Sequence, residues 1–271
     1  EEEMVVTATK VETPLRLLPL RVDVISSSDI ENSVFTNLGD LFSELFPGHV
    51  HKYPGILTSV GIRGFRTDTH GSGIKGRVLL LIDGHRAGTG NLAEIPLENI
   101  ERIEIIRGPG SLMYGSAGMG GVINVITKKG KGKPYAGIGG EFGSWDMGRG
   151  YFYGGGALKR FDFTFGGGFM QRNNYQIGDD EGTLHNTDYN DKHFSLQLGY
   201  KIAEKHRISI VGQYFSGFDV GSPGATYSPS INAEVDRKRR YIAISYDGGG
   251  WKNCNWHSSY YFVKERYVYK N

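Results

Sequence analysis

Aromatic side chains divide this chain in two. Of its 33 Phe, Tyr and Trp residues, 27 lie from Tyr135 onward. The change follows a glycine-rich stretch, Arg107-Gly-Pro-Gly-Ser-Leu-Met-Tyr-Gly-Ser-Ala-Gly-Met-Gly-Gly-Val-Ile-Asn-Val-Ile-Thr127. Ahead of it the composition is that of an ordinary mixed α/β domain; behind it run alternating, aromatic-rich segments. A sheet with so many aromatics on one face exposes large apolar patches if water bathes it.

Seven segments of the second half read as strands: 135–143, 148–156, 160–171, 192–201, 205–216, 236–248 and 251–264. In Arg160-Phe-Asp-Phe-Thr-Phe165 the aromatics face one way, Asp162 and Thr164 the other. Connections at 144–147, 157–159 and 202–204 are short. Those at 172–191 and 217–235 are long and rich in Asp, Asn, Gly, Ser and Pro. Short turns at one end and long loops at the other, on strands of about 9–11 residues with an apolar face, predict a transmembrane β-barrel. A soluble antiparallel sandwich is the alternative. No apolar run approaches the ~18 residues of a membrane-spanning helix, which leaves barrel strands untouched.

Seven strands pose a closure problem, because bacterial single-chain barrels have even strand numbers and an open edge in lipid leaves backbone groups unpaired. The expectation is a fragment, or a wall completed by another chain. Glycine is abundant, at 41 residues, without a Gly-X-Y period. Clusters such as Gly154-Gly-Gly156 and Gly166-Gly-Gly168 fall inside the expected strands, where they predict close backbone approach, bulges or bends.

In the first half, Glu1-Glu-Glu3 reads as the start of a processed chain. Met4-Val-Val-Thr-Ala8 is a short extended peptide of the kind that adds to a sheet edge. Arg21–Ile25 predicts a strand, Ser28 or Asp29 caps a poor helix, and 36–46 predicts a better one with Leu38, Leu41, Phe42 and Leu45 on its apolar stripe. Strands are expected at 59–65, at 77–82 before the Asp83-Gly84 turn, at about 100–107 and at 122–126.

Several functions are excluded. A net charge of +2, with one tight basic group at Arg237-Lys-Arg-Arg240, gives no footprint for nucleic acid. Gly115, Gly118, Gly120 and Gly121 lack the Gly-Lys-Ser/Thr of a P-loop and run into a strand rather than a helix. No nucleophile–base spacing points to an enzyme. The single Cys254 forms no intrachain disulfide.

Five segments, in order, closely resemble the TonB-dependent outer-membrane receptors. Met4-Val-Val-Thr-Ala8 looks like the family's energy-coupling box. Val60-Gly-Ile-Arg-Gly-Phe65, Val78-Leu-Leu-Leu-Ile-Asp-Gly84 and Ile103-Glu-Ile-Ile-Arg-Gly-Pro109 resemble successive plug motifs, and Tyr114–Thr127 resembles the closing plug signature. The resemblance implies a box and tether over 1–13, a mixed α/β plug over 14–130 and about seven strands of a 22-stranded barrel over 131–271 in the bacterial outer membrane. It also implies energised uptake of a scarce ligand such as cobalamin or a ferric siderophore. A haem receptor, or a ligand-sensing receptor without transport, is the alternative. A TonB-type energy-transducing protein would pull on Met4, Val5, Val6, Thr7 and Ala8. Arg63, Arg77 and Arg107, with Glu101 and Glu104, would be plug–wall ion-pairing positions. His49, His51, His70, His85 and Asn91 are candidate ligand contacts. Asp179, Asp180, Glu181, Asp188 and Asp191 would offer hard oxygen donors to calcium in one loop, though without EF-hand spacing.

Overall fold

A computed structural model describes residues 5–6, 13–14, 21–33, 35–46, 48–53, 57–69, 76–108, 114–177, 182–225, 228–230, 232–251 and 254–270. The chain forms two compact units, one of residues 1–53 and 57–127, the other of 54–56 and 128–271.

In the first unit β1 (Val5–Val6) pairs antiparallel with β2 (Thr13–Pro14). β3 (Arg21–Ile25) leads into α1 (Ser27–Glu31). Ser26 caps this helix, its hydroxyl accepting from the Asp29 amide while the Asp29 carboxylate accepts from the Ser26 amide. Asp29 is thus the reciprocal partner of the cap, not the cap that its type alone predicts. α2 (Leu38–Leu45) is capped by Asn37 and buries Leu38, Leu41 and Phe42. Leu45, expected on the same stripe, is exposed. The helix ends there, and Phe46 takes the core position, stacked 5.0 Å from the Phe42 ring.

β4 (His49–Lys52), β5 (Thr58–Ile62) and β6 (Phe65–Arg66) form an antiparallel three-stranded sheet. The single strand expected over 59–65 is a hairpin instead, because Arg63 (φ 53°) and Gly64 (φ 81°) make a two-residue left-handed turn. β7 (Val78–Ile82), β8 (His85–Arg86), β9 (Ile100–Arg107) and β10 (Gly121–Thr127) join β3 in a mixed sheet ordered β3-β9-β10-β7-β8, with only β10 and β7 parallel. β7 is buried along its whole length, which explains its unbroken apolar run.

A polar chain crosses the middle of this apolar sheet. Asp83 and Gly84 (φ 47° and 80°) turn β7 into β8. The Asp83 carboxylate accepts from the Thr127 amide (2.9 Å) and hydroxyl (2.8 Å), and the Gly84 amide donates to Asn124 Oδ1 (2.9 Å). Asn124 Nδ2 reaches Glu104 Oε2 at 3.4 Å, and Arg102 donates twice to Glu104 Oε1 at 2.8 and 3.0 Å. Asn124 and Glu104 are fully buried. Asn124→Ala leaves buried groups without this partner and should lower the stability of the first unit by about 1–3 kcal/mol. Hydrogen exchange of the β7–β10 amides measures it; unchanged protection would make the chain of bonds incidental.

The second unit is an antiparallel meander. β11 (Tyr135–Gly143), β12 (Met147–Leu158) and β13 (Phe161–Arg172) are followed by a small hairpin of β14 (Tyr175–Ile177) and β15 (Gly182–Leu184). β16 (Tyr189–Ala203) and β17 (His206–Gly221) precede a second small hairpin, β18 (Gly224–Ala225) with β19 (Ser228–Pro229). β20 (Glu234–Trp251) and β21 (Cys254–Lys270) complete a seven-stranded sheet ordered β11-β12-β13-β16-β17-β20-β21. Strands fall on all seven segments expected, and β16, β17, β20 and β21 run longer because both long connections extend the ladders. The expected sorting of connections by length needs one correction. The short 144–147 turn lies at the same end as the long loops, since β11 and β13 run in the same direction.

Paired residues share a face, so the registers sort every side chain. One face carries Asp162, Thr164, Asp191, Ser195, Gln197, Gln213, Arg237 and Arg239, all buried. The other carries Ile138, Phe142, Phe161, Phe169, Phe194, Tyr200, Ile242, Ile244, Tyr260 and Phe262, all exposed. Ile138 and Phe142 are 89% and 92% exposed. Polar residues buried and apolar residues bare is the polarity of a wall facing hydrocarbon.

Strand glycines have a local cause. A Cβ on Gly139 would meet the Tyr151 ring at 2.3 Å, and one on Gly154 the Phe165 ring at 2.5 Å. Each glycine is the register partner of that aromatic, so it seats a ring lying across the strand. Ile244→Arg, on the bare face, should cost about 2–4 kcal/mol, against about 1 kcal/mol or less for Ser245→Arg on the polar face. Folding titrations into bilayers compare them; equal costs would remove lipid from the apolar face.

Candidate functional site

Three arginines gather on the first unit. A cavity of about 410 Å³ is bordered by Arg63, Arg66 and Arg107, with His49 and Phe46. The left-handed turn holds Arg63 at a hairpin tip, and Arg63 and Arg66 are exposed. Arg107 ends β9, where it pairs with Asp23 and lies 5.4 Å over the Phe46 ring. Arg21 reaches the same carboxylate at 3.6 Å. The cavity therefore presents two exposed guanidinium groups beside a third already paired, a surface suited to carboxylates or other oxyanions.

Other sequence-selected positions scatter. Arg77 is exposed, and its backbone bridges Arg66 and Gly120. Glu101 is half-buried. Glu104 is fully buried inside the sheet, held by Arg102 and Asn124. That location corrects its reading as a group that reaches another surface: its ion-pair partner is on its own strand.

His49 and His51 alternate on β4 and share a face, with ring centroids 6.2 Å apart; the His51 ring stacks on Tyr53 at 4.2 Å. These exposed rings form a short ladder. His85 stands apart on β8, in the other sheet. Asn91 is not a ligand contact. It is fully buried, its Oδ1 accepting from the Thr58 and Ala93 amides at 2.9 and 3.2 Å, its Nδ2 donating to Glu94 at 3.0 Å. It caps the 3-10 turn Leu92–Glu94. His70 lies outside the described residues, as do Met4, Thr7, Ala8, Asp179, Asp180 and Glu181. Val5 and Val6 form β1.

Of the five acidic-loop candidates, only Asp188 and Asp191 are among the described residues. Asp191 is buried and bonded to His193 Nδ1 at 2.9 Å, Asp188 is half-buried, and no group of three metal-ligating side chains occurs among the described residues. The loop is instead braced by amides. Asn174 Oδ1 accepts from the Thr187 and Asp188 amides at 2.6 and 3.0 Å. Asn186 Nδ2 lies within 3.0 Å of the Ser222, Ser230 and Ala233 carbonyl oxygens, tying the first long connection to the second.

Residues 14–122, nearly the whole first unit, match the model of the TonB-dependent Receptor Plug Domain. The chain carries the plug domain of the TonB-dependent receptors. It is a bacterial outer-membrane protein, of a family of transporters and receptors rather than enzymes. The receptor is 29% identical over 231 residues to the vitamin B12 transporter BtuB of Photobacterium profundum, covering 79% of this chain and 35% of the relative. It is 34% identical over 141 residues to an iron-regulated outer membrane virulence protein of Vibrio cholerae, covering 48% of this chain and 20% of the relative. The receptor chain thus spans about a third or less of the curated relatives it matches. Among solved structures, the alcaligin receptor FauA of Bordetella pertussis shares the fold, with a TM-score of 0.74 at 18% identity over 97% of this chain and 42% of that one. The siderophore receptor PiuA of Acinetobacter baumannii gives 0.73 at 19% over 95% and 38%.

Sequence reasoning missed Arg66, Arg102 and the roles of Asp83, Asn124 and Thr127. The last three stand as polar residues in or beside the apolar runs 78–82 and 121–126, which was the available signal. Tyr114 packs on Leu79, Leu81, Ile106, Ala117 and Val122. Burial, reinforced by the Glu104 carboxylate, pushes its phenol up to about 12. The folded pKa lies above the unfolded value near 10, so this contribution to stability is complete below pH ~10 and is lost as pH rises toward ~12. The difference between alkaline titrations of the receptor and its Tyr114→Phe variant should show the missing phenolate only as pH nears 12. Full signal near pH 10 would mean an ordinary, solvated phenol.

Proposed function

We propose that this receptor takes a scarce metal chelate, a cobalamin or a ferric siderophore, across the outer membrane through a barrel closed by its first unit. One observation carries the reading: a plug domain and a wall with its polar face buried and its apolar face bare occupy a single chain. Relatives named for vitamin B12 transport and iron regulation support the ligand class. Of the arginines assigned to ion pairs between plug and wall, Arg63 and Arg77 are exposed, whereas Arg107 pairs with Asp23. His49, His51 and Tyr53 offer rings to a chelate. Ligand binding at these positions, like the pairing of plug with wall, belongs to the proposal.

Energy enters at the N-terminus. Among the described residues, Val5 and Val6 are held by two register pairs, to Pro14 and Thr13. So short a ladder exchanges readily for a strand of a TonB-type partner, which would add to the same backbone edge. The wall needs further strands: the sheet is open at β11 and β21, and unpaired peptide groups in hydrocarbon cost several kcal/mol each. They come from this protein or from a second polypeptide.

Val6→Pro removes a backbone donor and fixes φ. Energised uptake of labelled cobalamin or ferric siderophore by cells should fall at least tenfold, while binding of the same chelate to isolated outer membranes stays within twofold. Undiminished uptake with the variant would end the coupling assignment. Haemin as the only chelate bound would move the ligand class.

A further inference from the structure

The end of the seven-stranded sheet away from the long loops is strongly basic. Residues 128–133 read Lys-Lys-Gly-Lys-Gly-Lys, and they cross the polar face as a strap. The Thr164 hydroxyl donates to the Lys128 carbonyl oxygen at 2.9 Å, and the Ala157 amide donates to that of Gly132 at 2.9 Å. Gly130 is the point of closest approach. A Cβ there would meet the Gly156 carbonyl oxygen at 2.2 Å and that of Phe163 at 2.5 Å, so only glycine lets the strap lie against the strands. Gly130 faces the sheet, and Lys129, Lys131 and Lys133 on either side of the glycines are exposed.

Two turns at the same end add to the charge. Between β12 and β13 stand Lys159, at φ 54°, and Arg160, both exposed; around the turn from β16 to β17 stand Lys201 and Lys205, exposed likewise. The turns are fixed to each other. The Lys201 amide donates to the Arg160 carbonyl oxygen at 2.8 Å, and Arg160 Nη1 donates to that of Ile202 at 3.1 Å. With Lys128 and Arg207, the strap and the two turns bring nine cations together. Among the described residues at this end, three acids oppose them. Asp162 is buried and accepts from Arg207 at 2.8 Å, Asp247 bonds His257 at 2.6 Å, and Glu204 is exposed. Nine positive charges against three negative leave a large excess.

Face and residue type decide what the excess fits. Lys201 is the register partner of Arg207, which reaches Asp162, and the strap lies over Thr164. These groups belong to the polar face, away from the apolar rows that meet hydrocarbon, so lipid headgroups are a poor match. A small oxyanion is gripped at one spot by the planar fork of arginine. Here lysines outnumber arginines seven to two and are spread over three connections. Scattered ammonium groups act as a broad field, which steers and orients a large partner of opposite charge. In outer-membrane barrels the short turns face the periplasm. We propose that this end of the wall is a docking surface for the acidic face of a soluble periplasmic protein. The inference rests on the outer-membrane placement of the wall and not on which chelate is carried.

The test uses the intact receptor in neutral detergent, with a fluorescent oligoglutamate peptide as the probe. Its binding should weaken about tenfold in the variant K129Q/K131Q/K133Q, and by a similar factor from about 50 to about 500 mM salt, because exposed charge pairs are screened. K159Q/K205Q, on the two turns, should weaken it about threefold without touching the strap. K238Q/K264Q removes two lysines at the opposite end, several screening lengths away, and should leave binding within about twofold. Equal weakening by K238Q/K264Q overturns the proposal, as does a peptide affinity that neither set at the short-turn end moves. Displacement of the peptide at matched charge by phosphatidylglycerol micelles or by inorganic phosphate also overturns it, in favour of headgroups or a small-anion site. In cells, a photo-crosslinking residue in place of Lys131 should capture a soluble protein of acidic isoelectric point, and K159Q/K205Q should abolish the capture. A basic captured protein, or capture indifferent to those substitutions, counts against the surface. The Val6→Pro uptake assay reads the transport proposal separately, so either can fail alone.

Discussion

A peptide group in hydrocarbon has no water to bond, and that single constraint organises the second unit. Each strand of the sheet pairs with its neighbours over nine to seventeen register positions, so interior strands satisfy their donors and acceptors on both sides. Pairing also locks the alternation of faces, because a slip of one residue would turn Phe161, Phe163 and Phe165 inward and Asp162 and Thr164 outward. Asp162 shows the consequence. It accepts from Arg207 at 2.8 Å and from Gln197 at 3.3 Å, a charge matched by side chains on the next two strands of the same face. The sheet therefore carries its polar chemistry on one side and leaves only aliphatic and aromatic surface on the other, except near the long loops.

The first unit solves a different problem with the same economy of pairs. β7 and β10 are buried along their whole length, so hydrophobic burial alone does not fix their register. Buried polar groups do. Asn124 can bond Gly84 and Glu104 together only when β10 sits one register beside β7 and β9, and Asp83 reaches Thr127 only from a left-handed turn. The segments around residues 78–84 and 121–127 that resemble plug motifs thus have a structural role. They specify how the mixed sheet closes.

That distinction explains what the sequence made legible. Alternation with period two is a local property, so Phe161, Phe163 and Phe165 could be separated from Asp162 and Thr164 without a structure. So could the seven strands, because aromatic and β-branched residues mark them. Burial of a polar side chain is tertiary. Asn91 sits in a polar loop beside glycines and reads as a ligand contact, yet it caps a 3-10 turn and anchors Thr58 from 33 residues away. Glu104 alternates with isoleucines and reads as an exposed partner, yet Arg102 and Asn124 enclose it. The Arg63-Gly64 turn was hidden because a strand containing glycines and a hairpin with a left-handed turn share one sequence pattern. Strand glycines misled in the other direction: they predicted close approach or bends, whereas Gly139 and Gly154 make room for rings on the neighbouring strand.

The long-loop end joins these themes. β16, β17, β20 and β21 run well past the apolar rows, and their extensions are braced rather than left to fray. Asn186, in a left-handed conformation at φ 62°, gathers three carbonyl oxygens from the second long connection, and Asn174 gathers two amides from its own. A loop so tied gives up conformational freedom on folding rather than on binding, which lowers the entropy that any ligand must offset there. Rigidity at this end of the sheet is therefore built from side-chain amides that tie one long connection to the other.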